Sequence, residues 1–473
     1  MEKRRYNVAR WPGPKRAKDG RAHGGARQLV ARGARGTGRE IVLRDPVHGD
    51  IDLAPAERDL LDSPEVQRLR GIRQLGSAYL VYPGALHTRF DHGLGALRMA
   101  QAILESLGRQ GMRLSEEDRS AVRLAALLHD VSHIPFGHTF EDERTLFGRH
   151  DRPERLRFFL ERGELGERLA RHPQGNLVKA LLTGETQDWR RDVVAGTLDA
   201  DLLDYLRRDA YFCGLPKTYD ERILRSFTVT GGRLGLRLYQ GGIEREDVRT
   251  EAVEVLRLRY FLTERVYYHH AKLAAGAMVA KAVELAVERE GLTEIDLYPL
   301  DDAGLLRRLL EGPRVRGSER GPNPAVRDLA EAFLRRALVK RSYVLTHGQV
   351  GDAGQADLVR RFRDREGRRA LEAELAREAG VEARWVIVHC PPAMPLKEAS
   401  MPVEGARGLL TLDASGSGSD LELASLKALY EGLWKFTVFG PASVRGKLAQ
   451  AARAAIGWPI AFVGLGQDAS TVH

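Results

Sequence analysis

Histidine and carboxylate side chains are concentrated in the stretch LAALLHDVSHIPFGHTFEDE, residues 124–143. An apolar run ends there directly at the adjacent pair His129 and Asp130. Such a pair is often a surface coincidence, but burying it unpartnered at the inner end of an apolar helix would be costly. A divalent cation would offset that cost, because imidazole nitrogen and carboxylate oxygen are both good metal ligands. The pair therefore indicates a metal site.

Two further ligand-type residues lie in unusual local contexts elsewhere. His92, in HTRFDHGLG, opens the preceding predicted helix, and Asp201, in LDADLLDYLRRD, lies on a later one. The sequence therefore predicts one metal centre formed by four residues from three helices, His92, His129, Asp130 and Asp201. Nitrogen and oxygen ligands accept Mn, Fe, Ni, Zn or Mg, so the identity of the divalent metal stays open.

These four residues resemble the H…HD…D signature of the HD-domain metal-dependent phosphohydrolases. Longer stretches are similar to the deoxynucleoside triphosphate triphosphohydrolase (dNTPase) branch: RDPVHGDIDL, QRLRGIRQLG, YPGALHTRFDHGLG, LLHDVSHIPFGHTFE and DADLLDYLRRD. The resemblance runs from about Leu43 to Ala280. It implies a helical domain able to hold two metals, which cuts a deoxynucleotide at the α-phosphorus to give a deoxynucleoside and inorganic triphosphate.

We also predict catalytic roles for the remaining histidines of this stretch, for Glu141 and for the nearby His150. The leaving 5′-oxygen needs a proton, and we predict that His138 supplies it, oriented by Glu141 three residues later. His133, expected one helical turn beyond His129, would stabilise charge on the phosphorus, and His150 would be a further polar neighbour. For each histidine, a purely structural role is the alternative.

The spacing of Asp201, Tyr205 and Asp209 places them in one stripe on their predicted helix. A tyrosine between two carboxylates suits a nucleoside: the ring packs on the sugar and Asp209 accepts from the 3′-hydroxyl. The resemblance implies further substrate-binding residues: Gln74 at the 3′-hydroxyl with Leu75 beside it, Tyr267 against the 2′ position, and Arg89 and Arg259 on the phosphates. Ordinary core packing is the alternative for Tyr267, and an exposed helix charge for Arg259.

Two positions depart from the family pattern. Leu202 stands where relatives usually carry Lys or Arg as a phosphate contact, and Glu141 stands where Asp is common. The loss of a cation at 202 predicts weak triphosphate binding with intact metal chemistry. On that interpretation Leu202→Arg would lower KM for triphosphates and change kcat little.

Some relatives are tetramers that an activating nucleotide switches on at a separate site. Asp62, Gln67 and Arg70 match the residues that read a guanine there, so the resemblance implies an allosteric nucleotide and a homo-oligomer. The alternative is that Asp62 and Gln67 begin a helix and that Arg70 is a surface charge.

Charge is distributed unevenly along the chain of 473 residues. The net charge of +9 comes from 74 Lys or Arg and 65 Asp or Glu, and residues 1–40 alone hold 12 basic and 3 acidic residues, which accounts for the whole excess. The neutral remainder excludes a basic nucleic-acid-binding body. The Gly- and Arg-rich tail is predicted to be disordered and could contact phosphate backbones weakly through charge. A solvated leader, or a start codon placed too early, explains the tail at least as well.

Cysteine usage and hydropathy indicate a compartment. Cys213 and Cys390 lie far apart, which favours a reducing cytoplasm over a disulfide framework. No apolar stretch reaches the ~20 residues that span a bilayer, and no signal sequence opens the chain. We therefore predict a cytoplasmic protein with no membrane partner.

The elements that must position these residues are mainly α-helical. Residues 41–335 are predicted to form the helical HD bundle, with a helix over DSPEVQRLRGIRQLG capped by Ser63, one very long helix over 247–286, and a small hairpin at Gly231-Gly232. Residues 336–473 are predicted to form a mixed α/β lobe, because strand-like WVIVHC, GLLTLD and KFTVFG alternate there with helices. A regulatory or oligomerisation role is the expectation for this lobe.

Two other functions stay open. The chain could be an HD phosphohydrolase acting on another nucleotide, as a phosphomonoesterase or phosphodiesterase, which the apolar Leu202 favours. It could also be a nucleic-acid-binding protein with a vestigial metal site. The Arg-rich tail favours that second alternative, and the intact set of four metal ligands argues against it.

Overall fold

A computed structural model of the chain describes residues 41–313, 321–393, 395–405, 408–415 and 420–458. The predicted basic tail, residues 1–40, lies outside the described residues, and so does its expected contact with nucleic acid. None of the described helices combines the length and apolar character needed to cross a membrane.

Helices dominate the larger, N-terminal part of the described chain. They are α1 (Pro55–Leu61), α2 (Pro64–Gln67), α3 (Arg89–Arg109), α4 (Glu116–Leu128), α5 (Pro153–Glu161), α6 (Gly163–Arg171), α7 (Gly175–Thr183), α8 (Trp189–Ala195), α9 (Ala200–Phe212), α10 (Glu246–Leu262), α11 (His270–Glu290), α12 (Glu294–Leu297), α13 (Asp302–Glu311) and α14 (Pro324–Leu334). The C-terminal part adds α15 (His347–Phe362), α16 (Arg365–Ala379), α17 (Asp420–Glu431) and α18 (Arg445–Ile456). The predicted class, a helical bundle followed by a mixed α/β lobe, is confirmed.

The strands form small sheets. Their bounds are β1 (Ile41–Asp45), β2 (Gly49–Leu53), β3 (Phe227–Thr230), β4 (Arg233–Arg237), β5 (Tyr239–Gln240), β6 (Ile243–Glu244), β7 (Lys340–Thr346), β8 (Ile387–His389), β9 (Pro402–Gly405), β10 (Gly408–Thr411) and β11 (Lys435–Gly440). Two sheets are the hairpins β1-β2 and β5-β6, and the other two have strand orders β10-β9-β4-β3 and β7-β11-β8. Because β4 of the helical part pairs with β9, the second sheet joins the two parts of the chain.

The predicted hairpin is β3-β4, in which Thr230 pairs with Arg233 across Gly231 and Gly232. Both glycines have positive φ, 59° and 79°, as a two-residue hairpin turn of this hand requires. The sequence therefore located this turn from its two glycines.

Helix α3 packs against both α4 and α9. His92 lies on α3, Asp201 lies on α9, and His129 and Asp130 directly follow α4. The apolar faces of these helices are buried: Leu97 and Ile103 on α3 and Leu124 on α4 are fully inaccessible to solvent. Ser115 caps α4 as its side chain accepts from the backbone N–H of Asp118. The inner ends of the three helices thus meet inside one apolar core.

The predicted helix over residues 63–76 is wrong in extent. Ser63 does precede a helix, but α2 is a single turn that continues as a 3-10 helix, Arg68–Gly71, and the Ser63 hydroxyl donates backwards to the Leu60 carbonyl at 2.7 Å. Tertiary contacts compete with the regular helix at this point. The Arg68 guanidinium turns inward and donates to three backbone carbonyls, those of Val131, His133 and Leu300.

The predicted continuous helix over 247–286 is also wrong. It ends at Leu262, passes through a π-helical turn at Thr263–Tyr267, and restarts at His270. The backbone N–H of Tyr268 donates to the carbonyl of Thr263, and His269 is extended. The aromatic and histidine residues at the break are weaker helix formers than the leucines and alanines around them. This break sets the position of Tyr267.

A second hydrophobic core lies in the C-terminal part. There β7, β8 and β11 pack against α16 and α18 around Tyr343, Phe436 and Leu448. The later segment that includes Met401 and Leu412 instead joins the large core of the helical part. The C-terminal residues therefore contact the helical bundle over a wide area, and the proposed boundary at 335–336 stays a prediction.

A buried ionic cluster crosses between the two cores. Arg144 Nη1 donates to Glu372 Oε1 at 3.0 Å, and Lys281 Nζ donates to Glu372 Oε2 at 2.9 Å. Arg144 Nε also donates to Glu284 Oε2 at 2.8 Å. Burial alone would raise the pKa of Glu372, but the charges of Arg144 and Lys281 outweigh it and lower that pKa to about 2. Since Arg144 directly follows the turn Thr139–Glu143, this cluster ties α16 to the histidine-rich stretch.

We predict that Glu372→Gln lowers the free energy of unfolding by about 3–5 kcal/mol, because it leaves buried cations without their partner. The pKa of Glu372 is depressed from 4.5 to about 2, so its contribution is complete above pH 4.5 and is lost as the pH falls towards 2. Urea unfolding at several pH values should show a loss over this range that is about 3 kcal/mol larger in the wild type than in the variant.

The matched control is Glu378→Gln on the same helix, whose carboxylate is 57% exposed and pairs with Arg377. It should leave the unfolding midpoint unchanged. Equal midpoints for Glu372→Gln and the wild type would contradict a stabilising role for the ionic cluster.

Candidate metal centre

The structure brings the four predicted metal ligands together. His92 lies in the first turn of α3, His129 directly follows α4, and Asp201 lies in the first turn of α9. His92 Nε2 lies 3.2 Å from His129 Nε2 and 2.9 Å from Asp201 Oδ1. Asp130 approaches from the side, with Oδ1 3.5 Å from His129 Nε2 and Oδ2 3.8 Å from His92 Nε2.

The other nitrogen of each imidazole is already engaged. His92 Nδ1 donates to Asp204 Oδ2 at 2.7 Å, and His129 Nδ1 donates to the Ala126 carbonyl at 2.7 Å. Because both acceptors can only accept, each neutral ring carries its proton on Nδ1 and directs an Nε2 lone pair into the same small space. A divalent cation fits this arrangement, since lone pairs of nitrogen and a carboxylate oxygen converge there.

Charge is also crowded at this point. Burial lowers the pKa of His92, but hydrogen bonds to Asp201 and Asp204 outweigh it and raise the pKa to about 10. Burial and the neighbouring carboxylate of Asp201 raise the pKa of Asp199 well above its usual value. A proton shared in the cluster, or a cation that displaces it, relieves this crowding.

Asp204 is a residue that the sequence reasoning missed. It is fully buried and accepts hydrogen bonds from His92, from His48 Nε2 at 2.6 Å and from Arg208 Nε at 2.9 Å. A Cβ at Gly95 would overlap its Oδ1, so only glycine allows α3 this close to α9. The available signal was the spacing of Asp204, three residues after a ligand and four before Arg208.

A second cluster lies beside the first. The rings of His133 and His150 stack at 3.8 Å, and that of His138 meets them edge-on at 4.8 and 5.0 Å. Glu141 links two of them: its Oε2 accepts from His138 Nδ1 at 3.0 Å and its Oε1 from the backbone N–H of His150 at 2.8 Å. The structure therefore brings all four predicted catalytic residues together, and their roles stay predictions.

His133 does not lie one helical turn beyond His129, as expected, because α4 ends at Leu128. Turns follow, with left-handed φ values of 61° at Phe136 and 55° at Gly137. Asp302 Oδ1 holds this conformation by accepting from the backbone N–H of Phe136 at 2.7 Å. The turns place His133 Nε2 3.1 Å from Asp130 Oδ1, so Asp130 lies between the two clusters.

Glu141 is suited to orient His138. Burial would raise its pKa, but the hydrogen bonds from His138 and His150 hold that pKa well below its usual range, so the carboxylate stays ionised. The His138 side chain is 43% exposed, whereas His133 is fully buried. His138 is thus the member of the cluster that a substrate can reach most easily.

The predicted stripe on α9 is present, and its members have partners that the sequence did not indicate. Asp209 is 2% exposed, and its two oxygens accept from His87 Nε2 at 2.8 Å and from the Tyr267 hydroxyl at 2.6 Å. The Tyr205 hydroxyl meets Arg259 Nη1. A sugar hydroxyl would therefore have to share or replace the contacts of Asp209.

The other predicted substrate-binding residues fall into two environments. Gln74 Oε1 is buried and has no hydrogen-bond partner among the described residues, which leaves it able to accept from a ligand, while Leu75 belongs to the core. Arg89 is 2% exposed, and its Nη1 donates to Asp130 Oδ2 at 2.5 Å. A Cβ at Gly137 would come within 2.5 Å of Arg89 Nη2, so glycine makes room for this guanidinium beside the metal cluster.

Arg259 has a partner from a distant part of the sequence. Its Nε lies 2.9 Å from Oε2 of Glu398, in the 3-10 helix Lys397–Ser400. No spacing rule connects positions 139 residues apart, so sequence reasoning had no signal for Glu398 at this site.

Leu202 is buried in the large core, with 5% exposure. It directly follows the predicted ligand Asp201 in the first turn of α9. The lower KM that the sequence predicts for Leu202→Arg stays a prediction.

The three residues predicted to read an allosteric nucleotide lie near each other at the start of the helical part. Arg70 Nε donates to Gln67 Oε1 at 2.9 Å, and the Arg70 guanidinium lies over the Phe90 ring. Asp62 is the exposed residue that ends α1 and pairs with Arg58. These contacts fit both interpretations, so the allosteric site stays a prediction.

Comparison with known families agrees with this geometry. The HD domain model matches residues 89–209, which hold all four predicted metal ligands, and the HD associated region matches residues 220–461, about half of the chain. The chain belongs to the HD-domain phosphohydrolase superfamily. HD domains bind divalent metals, and the two clusters of the structure are able to hold one.

Relatives of this HD-domain chain include proteins with and without an assigned activity. "Uncharacterized protein MJ1154" of Methanocaldococcus jannaschii is 33% identical over 56% of this chain and 54% of its own length, and YwfO of Bacillus subtilis is 30% identical over 52% and 56%. The human deoxynucleoside triphosphate triphosphohydrolase SAMHD1 is 44% identical over 21% of this chain and 16% of its own length. The chain thus spans about half the length of the first two relatives and a sixth of SAMHD1.

Solved structures share the fold. A phosphohydrolase from Bacteroides thetaiotaomicron has a TM-score of 0.62, with 22% identity, and covers 85% of this chain and 100% of its own. A hypothetical protein from Aquifex aeolicus has a TM-score of 0.64, with 22% identity over 87% of this chain and 100% of its own. At this identity the likeness supports the arrangement of helices and small sheets alone.

We predict that Asp201→Ala abolishes tight binding of a divalent metal, because it removes the oxygen that faces both imidazoles. Elemental analysis of purified protein should find metal in the wild type and not in the variant. Asp247→Ala, at an exposed carboxylate paired with Arg245, is the control and should keep its metal. Full metal content in Asp201→Ala would show that Asp201 is not a ligand of the metal centre.

Asp204→Asn should weaken metal binding by about 10- to 100-fold, although Asp204 is not a predicted ligand, because it fixes the tautomer and orientation of His92. Competition with a chelator of known affinity measures this change. Asp192→Asn, a buried carboxylate paired with Arg233, is the matched control. Equal metal affinity in Asp204→Asn and the wild type would show that the hydrogen bond from His92 to Asp204 does not contribute to metal binding.

Proposed function

We propose that this protein hydrolyses deoxynucleoside triphosphates to deoxynucleosides and inorganic triphosphate in a metal-dependent reaction. The observation that carries the proposal is the position of Asp130. Its Oδ1 lies 3.5 Å from His129 Nε2 in the metal cluster and 3.1 Å from His133 Nε2 in the histidine cluster. A site for a cation and a site for a general acid are therefore adjacent.

The chain's own residues supply most of the required chemistry. Bound there, a divalent cation would supply Lewis acidity that activates water and polarises a phosphate oxygen. His138 donates its Nδ1 proton to the ionised Glu141, and in the imidazolium form it would give the Nε2 proton to the leaving 5′-oxygen when the P–O5′ bond breaks. Arg89, between Gly137 and Asp130, adds positive charge next to the reacting phosphate.

The sugar side of the site supports a deoxynucleoside. Tyr205 offers a ring face beside the metal ligand on the same helix, and Gln74 offers an unpartnered buried oxygen. The Tyr267 hydroxyl fills the space next to Asp209, where it would crowd a ribose 2′-hydroxyl. Human SAMHD1, which is 44% identical over 102 residues, is a deoxynucleoside triphosphate triphosphohydrolase, and this supports the same substrate class.

A second candidate is an HD phosphohydrolase that acts on another nucleotide with fewer phosphates. It is favoured by the small number of cations that face the site, since Arg259 is already paired with Glu398 and Leu202 is apolar. A nucleic-acid-binding function depends on the tail, residues 1–40, outside the described residues. The activating nucleotide, the homo-oligomer and the cytoplasmic location stay predictions from the sequence.

Metal-loaded protein should convert each dNTP into deoxynucleoside and triphosphate in equal amounts, which phosphorus NMR distinguishes from orthophosphate. His138→Asn should lower kcat by about 10²–10⁴-fold with metal still bound at His92, His129, Asp130 and Asp201, because it removes the proton donor and leaves these four residues intact. His347→Asn, on α15, is the control and should keep full kcat. Release of orthophosphate with a diphosphate remaining would mean attack at the γ-phosphorus and would refute the proposed reaction.

A further inference from the structure

The C-terminal part of the chain places a carboxylate directly in the candidate substrate site. The 3-10 helix Lys397–Ser400 is anchored in the large core by three apolar side chains, those of Leu396, Ala399 and Met401, which are at most 4% exposed. Glu398, between these anchors, extends towards Arg259 on α10. Because the anchors are buried, the carboxylate is held at this position by packing.

The contact between the two residues is close but not well aligned. Glu398 Oε2 lies 2.9 Å from Arg259 Nε, and the two side chains are 12% and 22% exposed. Neither atom makes an aligned hydrogen bond to any described residue. Charge attraction in a partly buried place therefore holds the pair, and an anion with better alignment can take over the guanidinium.

Arg259 is the cation that an incoming anion meets on this side of the site. Its Nη1 touches the Tyr205 hydroxyl, one helical turn from the metal ligand Asp201. Arg89, the other predicted phosphate contact, is already held by Asp130. A guanidinium that carries a carboxylate is neutralised, so a phosphate that approaches the Nε edge of Arg259 competes with Glu398.

We propose that Glu398 is a resident anion that occupies the phosphate-binding face of Arg259, and that the polyphosphate of the substrate must displace it. The carboxylate keeps Arg259 in place while the site is empty and lowers its affinity for anions. This inference rests on the proposed function insofar as the displacing anion is a nucleotide polyphosphate. It makes Glu398 a residue that sets substrate affinity from outside the HD domain.

The test measures binding of inorganic triphosphate to the full chain by calorimetry, in a buffer that holds the same divalent metal in excess over the ligand. Glu398→Gln keeps the shape and removes the charge, and should bind triphosphate about tenfold more tightly than the wild type. Its KM for a dNTP should fall by a similar factor while kcat changes little. Glu404→Gln, at a carboxylate of the same region that pairs with Arg237, is the matched control and should change neither.

A double-mutant cycle separates this role from a structural one. In the Arg259→Ala background, Glu398→Gln should produce no further gain in affinity, because the cation for which they compete is gone. Should Glu398→Gln fail to fold, Glu398→Asp withdraws the carboxylate by one methylene and should give a smaller gain of the same sign. Unchanged affinity in the folded variant, or a gain that persists without Arg259, would overturn the proposal.

The two proposals fail in different ways. Triphosphate binding that tightens through Arg259 in a protein that cleaves no dNTP would refute the proposed reaction and keep Glu398 as the resident anion. Release of deoxynucleoside and triphosphate with identical KM and affinity in Glu398→Gln and the wild type would refute the role of Glu398 alone.

Discussion

The buried carboxylate of Asp204 connects three parts of the chain that have to meet at the candidate metal centre. It accepts from His48 of the N-terminal hairpin, from His92 of α3 and from Arg208 of its own helix α9. A carboxylate without solvent is stable only when such donors surround it. Gly95 permits the close helix approach that these bonds need. The geometry of the metal ligands depends on this arrangement, because Asp204 decides which nitrogen of His92 faces the centre.

The second constraint is that Asp130 serves two clusters at once. Its position after the end of α4 brings the cation site and the histidine cluster into contact, and Arg89 balances its charge. The histidine-rich stretch and the substrate site also contact the C-terminal part of the chain. Arg144, next to the histidine-rich stretch, is held by Glu372 of α16, and Arg259 by Glu398. The C-terminal part therefore contributes to the electrostatics of the site as well as to stability.

Sequence reasoning was accurate where one local signal decides the structure. Gly231 with Gly232 forms the hairpin turn, because positive φ is a property of a few neighbouring residues. It failed where distant partners decide. The helix after Ser63 is shortened by bonds of Arg68 to distant carbonyls, and the turns after His129 are held by Asp302. Helical periodicity contains no information about such competitors.

The sequence by itself determined which side chains could form the metal centre. The types and spacing of His92, the His129-Asp130 pair and Asp201 were sufficient for that, because metal ligation needs particular donor atoms that few residues supply. Only the tertiary structure decided how these residues are charged and oriented. Asp204 contacts His92, and Glu398 contacts Arg259, although the two residues of each pair lie far apart in the sequence. Separation along the sequence does not fix distance in space, so only folding brings these pairs into contact.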